Sequence, residues 1–283
     1  MNLAPTELDP SRQVQPETLG LAPACQRLKG RRVLGAGPGQ RAFPEPNPPV
    51  GNGRAISVLF AREGASVACV DMSEAAVNDT VAQVTKEGGN AFAEVADVRD
   101  AEAIGPLLRR CAERLGGLDA LVLNVGISHA LPLAQQTAAA WDEEYAVNVR
   151  SHMLFAQAGL EVMSPGSSIV LMSSLAAHRN TGRNPAYESS KAAQVALARA
   201  IAVAGEAKAI RCNAVCPALM TPRMGRDAPR RRPNRALAVP FGRQGTGWEV
   251  AYASLFLISH EASYVNATAM LVDGGLHTGV ARA

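Results

Sequence analysis

The sequence predicts an α/β fold, a doubly wound parallel sheet of about seven strands with helices on both faces. Short apolar runs alternate with amphipathic stretches of helical period along most of the 283 residues. An apolar fraction of 47% and a charged fraction of 19% are typical of a globular protein with a sizeable core. The net charge of +3 is too small to indicate nucleic-acid or membrane binding, and no apolar run reaches the roughly 18 residues of a membrane span.

The elements follow one another regularly after the N-terminal segment. Residues 1–28 are rich in Pro, Gln and Glu without apolar periodicity, so we expect a flexible extension before a single domain at 29–283. Apolar runs predict strands at 31–36, 66–70, 91–96, 118–123, 167–172 and 209–215. Apolar residues at helical spacing predict helices at 54–63, 74–86, 101–115, 141–163 and 187–205. Ligands bind beyond the carboxyl ends of parallel strands, which places four polar residues on one rim: Asp71, Asp97, Asn124 and Ser174.

The first strand runs into glycines and then into a helix, an arrangement that binds a dinucleotide because backbone N–H groups face the pyrophosphate. Here the glycines are split, with Gly35 and Gly37 before an insertion at 39–50 and Gly51 and Gly53 after it. Four prolines in the insertion exclude a helix or a central strand, so it must loop out if the glycines are to meet. The alternative is that the first glycines form only a turn and that the nucleotide site is broken.

Two carboxylates follow the next strands. Asp71 comes about twenty residues beyond the glycines, where a carboxylate accepts hydrogen bonds from a ribose diol and repels a 2′-phosphate. NAD is therefore expected rather than NADP, unless Asp71 is only an N-terminal residue of the next helix. Asp97, followed by Val98, either hydrogen-bonds the adenine or begins the next helix.

Tyr187 and Lys191 are four residues apart and share one face of the helix predicted at 187–205. A nearby cation favours the phenolate and lowers the pKa of a tyrosine from about 10, as a general acid/base at neutral pH requires. Ser173 and Ser174 end the preceding strand, and a hydroxyl there would face the tyrosine across a pocket. On its own, such a pair also occurs by chance on ordinary helices.

Taken together, these residues resemble the short-chain dehydrogenase/reductase family, which has the Rossmann fold. The resemblance covers about residues 29–278, and the motifs occur in the family order. They are the glycine-rich turn, Asp71, Asp97-Val98, Asn124-Val125-Gly126, Asn148, Ser174, Tyr187 with Lys191, the Asn213 to Pro217 segment and the Val272 to Gly275 segment.

The resemblance implies an NAD(P)-dependent oxidoreductase that transfers hydride between a nicotinamide and a secondary alcohol or ketone. Tyr187 would transfer the proton, and Lys191 would lower its pKa and bind the nicotinamide ribose. Ser174 would hydrogen-bond the substrate oxygen, and Asn148 would hold a water in a proton relay to Lys191. The implied cofactor contacts are Gly35, Gly37, Gly51, Gly53, Asp71, Asp97, Val98, Asn124, Gly126, Tyr187, Lys191, Pro217, Ala218 and Thr221.

The resemblance also implies a homodimer or homotetramer built on the helices at 141–163 and 187–205. It places a segment that closes over the substrate at 219–239, where many arginines either favour an anionic substrate or form an ordinary solvated loop. Cys212 and Cys216 are accompanied by neither a second cysteine pair nor a suitably spaced histidine, so we expect no metal site. The five cysteines are odd in number, so we expect reduced thiols in a cytoplasmic protein.

Four departures from the family pattern all concern cofactor binding. No threonine precedes Gly35, the insertion interrupts the glycines, Ala218 replaces a glycine, and Val125 replaces an alanine. The alternative function is therefore an inactive family member with a disrupted nucleotide loop that serves as a binding or scaffold subunit.

Overall fold

The fold is built on a parallel sheet with the strand order β3-β2-β1-β4-β5-β6-β9. It is taken from a computed structural model, which describes residues 10–40, 48–221 and 233–278. The predicted fold class is confirmed. The strands of the sheet are β1 (Arg32–Ala36), β2 (Ser66–Asp71), β3 (Asn90–Val95), β4 (Ala120–Leu123), β5 (Ser168–Met172), β6 (Arg211–Pro217) and β9 (Ala269–Val272). Two short strands, β7 (Met220–Thr221) and β8 (Gly245–Thr246), pair with each other separately.

Helices cover both faces of the sheet, and each face has its own apolar core. Neighbouring residues of β1 show the alternation, since Leu34 packs into one core and Val33 into the other. Within the described ranges, no helix combines the length and the apolar character needed to cross a bilayer. The helices are α1 (Asn52–Arg62), α2 (Glu74–Lys86), α3 (Ala101–Leu115), α4 (Ala138–Tyr145), α5 (Ser151–Val162), α6 (Pro185–Ala204) and α7 (Gly247–Ile258).

Two helices begin and end where the sequence predicts, because polar residues mark their first turns. The Ser73 hydroxyl accepts a hydrogen bond from the backbone of α2, and the Asp100 carboxylate accepts two from the backbone of α3. Such side chains satisfy N–H groups that have no partner within the helix.

The helix predicted at 141–163 is interrupted. Ala146–Arg150 forms a π-helical turn between α4 and α5, in which the Ser151 N–H bonds the Ala146 carbonyl five residues earlier. Such turns occur often at functional sites, and this one contains the buried Asn148. The apolar pattern did not predict the interruption because it continues through the turn.

The N-terminal segment packs on the domain where the sequence predicted a flexible extension. Residues 10–28 include two short 3-10 turns, and the Thr246 hydroxyl at the start of α7 donates to the Thr18 carbonyl at 2.9 Å. Gly20 has φ of 68° and lies so close to Trp248 that a Cβ would fall 2.3 Å from its ring. For residues 10–28 the prediction is wrong, because partners more than 200 residues away in the chain hold this segment. Residues 1–9 lie outside the described range.

Candidate active site

The predicted site residues lie along the carboxyl edge of the sheet, on both sides of the point where strand order reverses between β1 and β4. Two contacts across this edge connect its parts. The Asn124 amide after β4 donates to the Gly37 carbonyl after β1 at 2.8 Å. The Ser174 hydroxyl after β5 lies 3.5 Å from the carbonyl of Pro217, the last residue of β6.

The glycines on the two sides of the insertion meet in the structure. Gly37 has φ of +85°, and a Cβ on Gly53 would lie 2.0 Å from the Gly37 carbonyl oxygen. Only glycine permits this backbone approach at the start of α1. The described ends of the insertion therefore lie close together, as the sequence required for a working glycine loop, and residues 41–47 lie outside the described range.

The glycine turn is held by two side-chain hydrogen bonds that the sequence did not predict. The family threonine is absent, but the Thr80 hydroxyl on α2 donates to the Pro38 carbonyl at 3.0 Å. The Asn124 amide bonds the Gly37 carbonyl from the opposite side. The turn is thus held from a neighbouring helix and a neighbouring strand, which compensates for the missing side chain.

The ends of the insertion engage two groups that the resemblance assigns to the cofactor. The Gly39 N–H donates to Asp71 Oδ2 at 2.9 Å, and the Gly51 N–H donates to Gln40 Oε1 at 2.8 Å. Asp71 is the last residue of β2, and Ser73 is the N-cap of α2, so Asp71 is not merely a helix N-terminal residue. The glycines Gly37, Gly51 and Gly53 place no side chain of their own before α1, as binding of a pyrophosphate by backbone N–H groups requires, but these two contacts occupy groups that would bind the cofactor.

Asp97 does not begin α3, because Asp100 caps that helix. The Asp97 carboxylate pairs with Arg99 at 2.6 Å, and the hydrogen bonds from this guanidinium lower its pKa. Val98 beside it is buried. Of the two alternatives for Asp97, only the adenine contact remains open.

Tyr187 stands in the first turn of α6, between Ser174 and Lys191. The Ser174 hydroxyl faces its hydroxyl closely enough to lower its pKa, and Lys191 Nζ lies 5.6 Å from the centre of its ring. Ser173 points elsewhere, since its hydroxyl donates to the Lys191 carbonyl at 2.7 Å. The structure therefore places the second serine of the pair at the tyrosine, as the sequence predicts.

Burial opposes the charged form of both residues in the chain without cofactor. It raises the pKa of Tyr187 above its ordinary value, and the Ser174 hydrogen bond offsets only part of this effect. Burial also lowers the pKa of Lys191 to about 7. The expected lowering of the Tyr187 pKa by Lys191 is therefore not present here, because burial raises this pKa and only Ser174 opposes that effect.

Asn148 lies beside Lys191 as predicted, and its side chain is hydrogen-bonded to the backbone of Ile127. Its Oδ1 accepts from the Ile127 N–H at 2.8 Å, and its Nδ2 donates to the Ile127 carbonyl at 3.0 Å, so it holds the loop after β4. Its own carbonyl accepts a hydrogen bond from the Gln194 amide at 2.6 Å. Asn148 is thus connected to Lys191 through the Gln194 side chain, and the relay water that the resemblance implies stays a prediction.

Two buried polar residues of this region were missed by the sequence analysis, His152 and Gln194. A signal was present, because His152 follows Asn148 by four residues and Gln194 follows Lys191 by three, each within an apolar helical stretch. Such spacings place each pair on one face of its helix.

The remaining predicted residues lie near the same edge. A Cβ on Gly126 would lie 3.1 Å from Lys191 Nζ. The Ala218 N–H donates to the Val272 carbonyl at 3.1 Å, and the Thr221 hydroxyl donates to the Gly245 carbonyl at 3.0 Å. The arginine-rich part of the predicted substrate segment, residues 222–232, lies outside the described residues.

Comparisons with known proteins agree with this geometry. A family model described as enoyl-(acyl carrier protein) reductase matches residues 50–277. A 2-(S)-hydroxypropyl-CoM dehydrogenase of Xanthobacter autotrophicus is 34% identical, over 80% of this chain and 92% of that protein. A cyclopentanol dehydrogenase of a Comamonas species is 35% identical, again over 80% and 92%. A short-chain dehydrogenase/reductase structure from Serratia marcescens superposes with a TM-score of 0.81 at 28% identity, covering 89% of this chain and 100% of that one.

The chain belongs to the short-chain dehydrogenase/reductase family. Membership of this family confirms the prediction of an NAD(P)-dependent oxidoreductase. Nothing in the comparisons supports the alternative of an inactive scaffold subunit.

Proposed function

We propose that the protein is an NAD-dependent dehydrogenase that interconverts a secondary alcohol and its ketone, with Tyr187 as the general acid/base. The observation that carries this proposal is the contact between the Tyr187 and Ser174 hydroxyls with Lys191 Nζ beneath the tyrosine ring. A phenol beside a cation and a second hydroxyl suits proton exchange with an alcohol oxygen.

In alcohol oxidation, Tyr187 Oη accepts the hydroxyl proton of the substrate while Ser174 Oγ holds the same oxygen. The ammonium of Lys191 stabilises the phenolate that must act as base, which the burial of Tyr187 otherwise disfavours. Bound nicotinamide supplies the acceptor for the hydride. The residues proposed to hold it are the glycine cradle, Asp71, Asp97, Val98, Asn124, Gly126, Lys191, Pro217, Ala218 and Thr221.

The proposed substrate class is supported by relatives whose names specify secondary alcohols, hydroxypropyl-CoM and cyclopentanol. A screen of secondary alcohols with NAD and with NADP, followed by absorbance of the reduced cofactor, tests the proposal. We expect turnover of at least one alcohol with NAD. Failure of every alcohol and ketone with both cofactors would refute it.

Cofactor choice is expected to depend on Asp71. Its carboxylate at the end of β2 would accept hydrogen bonds from the adenosine ribose and repel a 2′-phosphate. For the wild type we expect kcat/KM with NAD to exceed that with NADP by about tenfold or more, and we expect Asp71→Ser to remove most of that preference. The measurement is the ratio of kcat/KM values for the two cofactors. A wild type that prefers NADP would contradict this assignment.

Removing the Gln40 side chain is expected to strengthen cofactor binding. Gln40→Ala frees the Gly51 N–H, which at a helix N-terminus is suited to bind a phosphate. The Kd for NADH, measured by fluorescence, should fall by about two- to tenfold, the equivalent of one net hydrogen bond. Gln136→Ala, on a loop far along the chain, is the control. An unchanged Kd in Gln40→Ala would show that this contact does not compete with the cofactor.

We also propose a homodimer or homotetramer in which α5 and α6 pack against a second copy. Support comes from an outward stripe on α6 whose exposed residues are small or apolar except for Arg199, namely Ala192, Ala196 and Val203. A cytoplasmic location is proposed because all five cysteines are free and four of them are buried.

A further inference from the structure

A chain of buried side chains lies behind Lys191, on the side away from the substrate edge. Lys191 Nζ donates to Gln194 Oε1 at 3.1 Å and to the Met172 carbonyl at 2.8 Å. The Gln194 amide nitrogen is 2.6 Å from the Asn148 carbonyl and 2.8 Å from His152 Nδ1. His152 Nε2 lies 3.1 Å from the Val125 carbonyl.

Every polar side-chain atom of Lys191, Gln194 and His152 has a hydrogen-bond partner. Only one placement of the protons gives each of these atoms a compatible partner. Gln194 accepts from the lysine through its oxygen, so its nitrogen supplies one N–H to the Asn148 carbonyl and one to His152 Nδ1. His152 must then be neutral, with its proton on Nε2 and donated to Val125. Burial lowers the pKa of His152 to about 3, which agrees with a neutral ring. The amide is thus fixed in one orientation, with its oxygen towards the ammonium.

The Asn148 carbonyl lies within the π-helical turn. At Ser151 the turn replaces the usual four-residue hydrogen bond by one that spans five residues, so the Val147 carbonyl loses that backbone donor and accepts from the Ser151 hydroxyl at 2.6 Å instead. At 2.6 Å the Gln194 amide bonds the Asn148 carbonyl directly, which leaves no room for a water between them. The Gln194 side chain therefore links Lys191 to the π-helical turn, with its oxygen bonded to the lysine and its nitrogen bonded to the turn.

We propose that Gln194 and His152 are positioning residues for Lys191: the Gln194 amide, oriented by His152 and the Asn148 carbonyl, holds the ammonium group beneath Tyr187 and keeps it protonated. The kinetic role rests on the proposed function, whereas the effect on the ammonium group does not. Burial lowers the pKa of Lys191, and a hydrogen-bond acceptor fixed towards the amine opposes that effect.

The other ionisable groups that face Lys191 come from its own helix and from two further elements. Tyr187 lies on its own helix, Glu144 on α4 and Cys216 on β6, and the charge of a thiolate or carboxylate would favour the ammonium. Burial raises the pKa of Cys216 to about 11, so its thiol is neutral at pH 7, and burial also raises the pKa of Glu144. The Gln194 oxygen and the Met172 carbonyl are the acceptors that bond the amine directly.

The test measures the titration of Lys191 itself. The chain has four lysines, Lys29, Lys86, Lys191 and Lys208, and of these only Lys191 is buried, so NMR of the full-length protein labelled at lysine Cε resolves it. Its signal is assigned by its loss in Lys191→Arg. We expect Gln194→Met, which keeps the length but removes the acceptor, to lower the midpoint by about one to two pH units.

A double-mutant cycle tests the part played by His152. His152→Leu should shift the midpoint in the same direction as Gln194→Met, and the double variant should shift it no further than Gln194→Met alone. Gln83→Met, which removes only a surface contact to Glu87, is the matched control and should leave the midpoint unchanged. An unchanged midpoint in Gln194→Met, or full additivity in the double variant, would overturn the proposal.

A variant that keeps the acceptor guards against misfolding as an explanation. Gln194→Glu retains an oxygen towards Lys191, so the midpoint should not fall below that of the wild type; a fall as large as in Gln194→Met would overturn the proposal. In alcohol oxidation, kcat of Gln194→Met should fall by about tenfold or more. If the wild type shows no turnover, the proposed function fails while the titration still decides the role of Gln194.

Discussion

Tyr187→Phe is expected to abolish measurable turnover while the protein still binds NADH. The substitution keeps the ring that packs beside Lys191 and removes only the hydroxyl that faces Ser174. A positioned general acid/base contributes about 10² to 10⁴ in rate, so kcat should fall by about a thousandfold. Steady-state kinetics gives kcat, and quenching or enhancement of NADH fluorescence gives the Kd, which should change by less than about threefold.

The control for this experiment is Tyr264→Phe, because Tyr264 is fully exposed on the surface and far in sequence from the site. It removes the same hydroxyl without touching the edge of the sheet. Turnover in Tyr187→Phe at the wild-type level would exclude Tyr187 as the proton-transfer residue, whatever the substrate.

Gly53→Ala is expected to destroy cofactor binding. A Cβ at this position would lie 2.0 Å from the Gly37 carbonyl oxygen and 2.7 Å from the Asn124 amide, so the backbone of the glycine turn would have to move. Forcing a methyl group into such a contact costs about 1–3 kcal/mol, and the cradle before α1 would open at the same time. We expect the Kd for NADH to rise by about a hundredfold and the melting temperature to fall.

A glycine inside α3 provides the matched control. A Cβ on Gly105 would meet nothing closer than the Arg109 side chain at 3.6 Å, so Gly105→Ala should stabilise the helix by about 0.5–1 kcal/mol and leave cofactor binding unchanged. If Gly53→Ala bound NADH as tightly as the wild type, the close approach of the two glycines would not be needed for the site.

Local patterns in the sequence were sufficient to predict the order of most elements. The bounds of α2 and α3 were predicted correctly because Ser73 and Asp100 mark the helix starts by a short-range hydrogen bond. Ser174 and Tyr187 were predicted to lie together because each stands at the end or start of an element whose place in a parallel sheet is known.

What the sequence could not predict depends on contacts between distant segments. The apolar period of 141–163 is unbroken, so the π-helical turn at Asn148 follows from tertiary bonds to Ile127 and Gln194. The docking of residues 10–28 depends on Trp248 and Thr246, more than 200 residues away. The pKa of Tyr187 was predicted with the wrong sign because a neighbouring cation can be recognised in a sequence, but the extent of burial cannot.

The insertion at 39–50 makes the edge of the cofactor cradle a position where further residues can be added to the chain. Its two ends are already joined at the base, with Gln40 Oε1 2.8 Å from the Gly51 nitrogen, so a longer excursion would leave and re-enter the fold at one point. Each doubling of such a loop costs only about 0.6 kcal/mol of closure entropy. Length can therefore vary here with little effect on folding, while residues next to Gly39 and Gln40 remain able to tune nucleotide affinity. In this family member, stability and cofactor affinity can change independently at a single place in the chain.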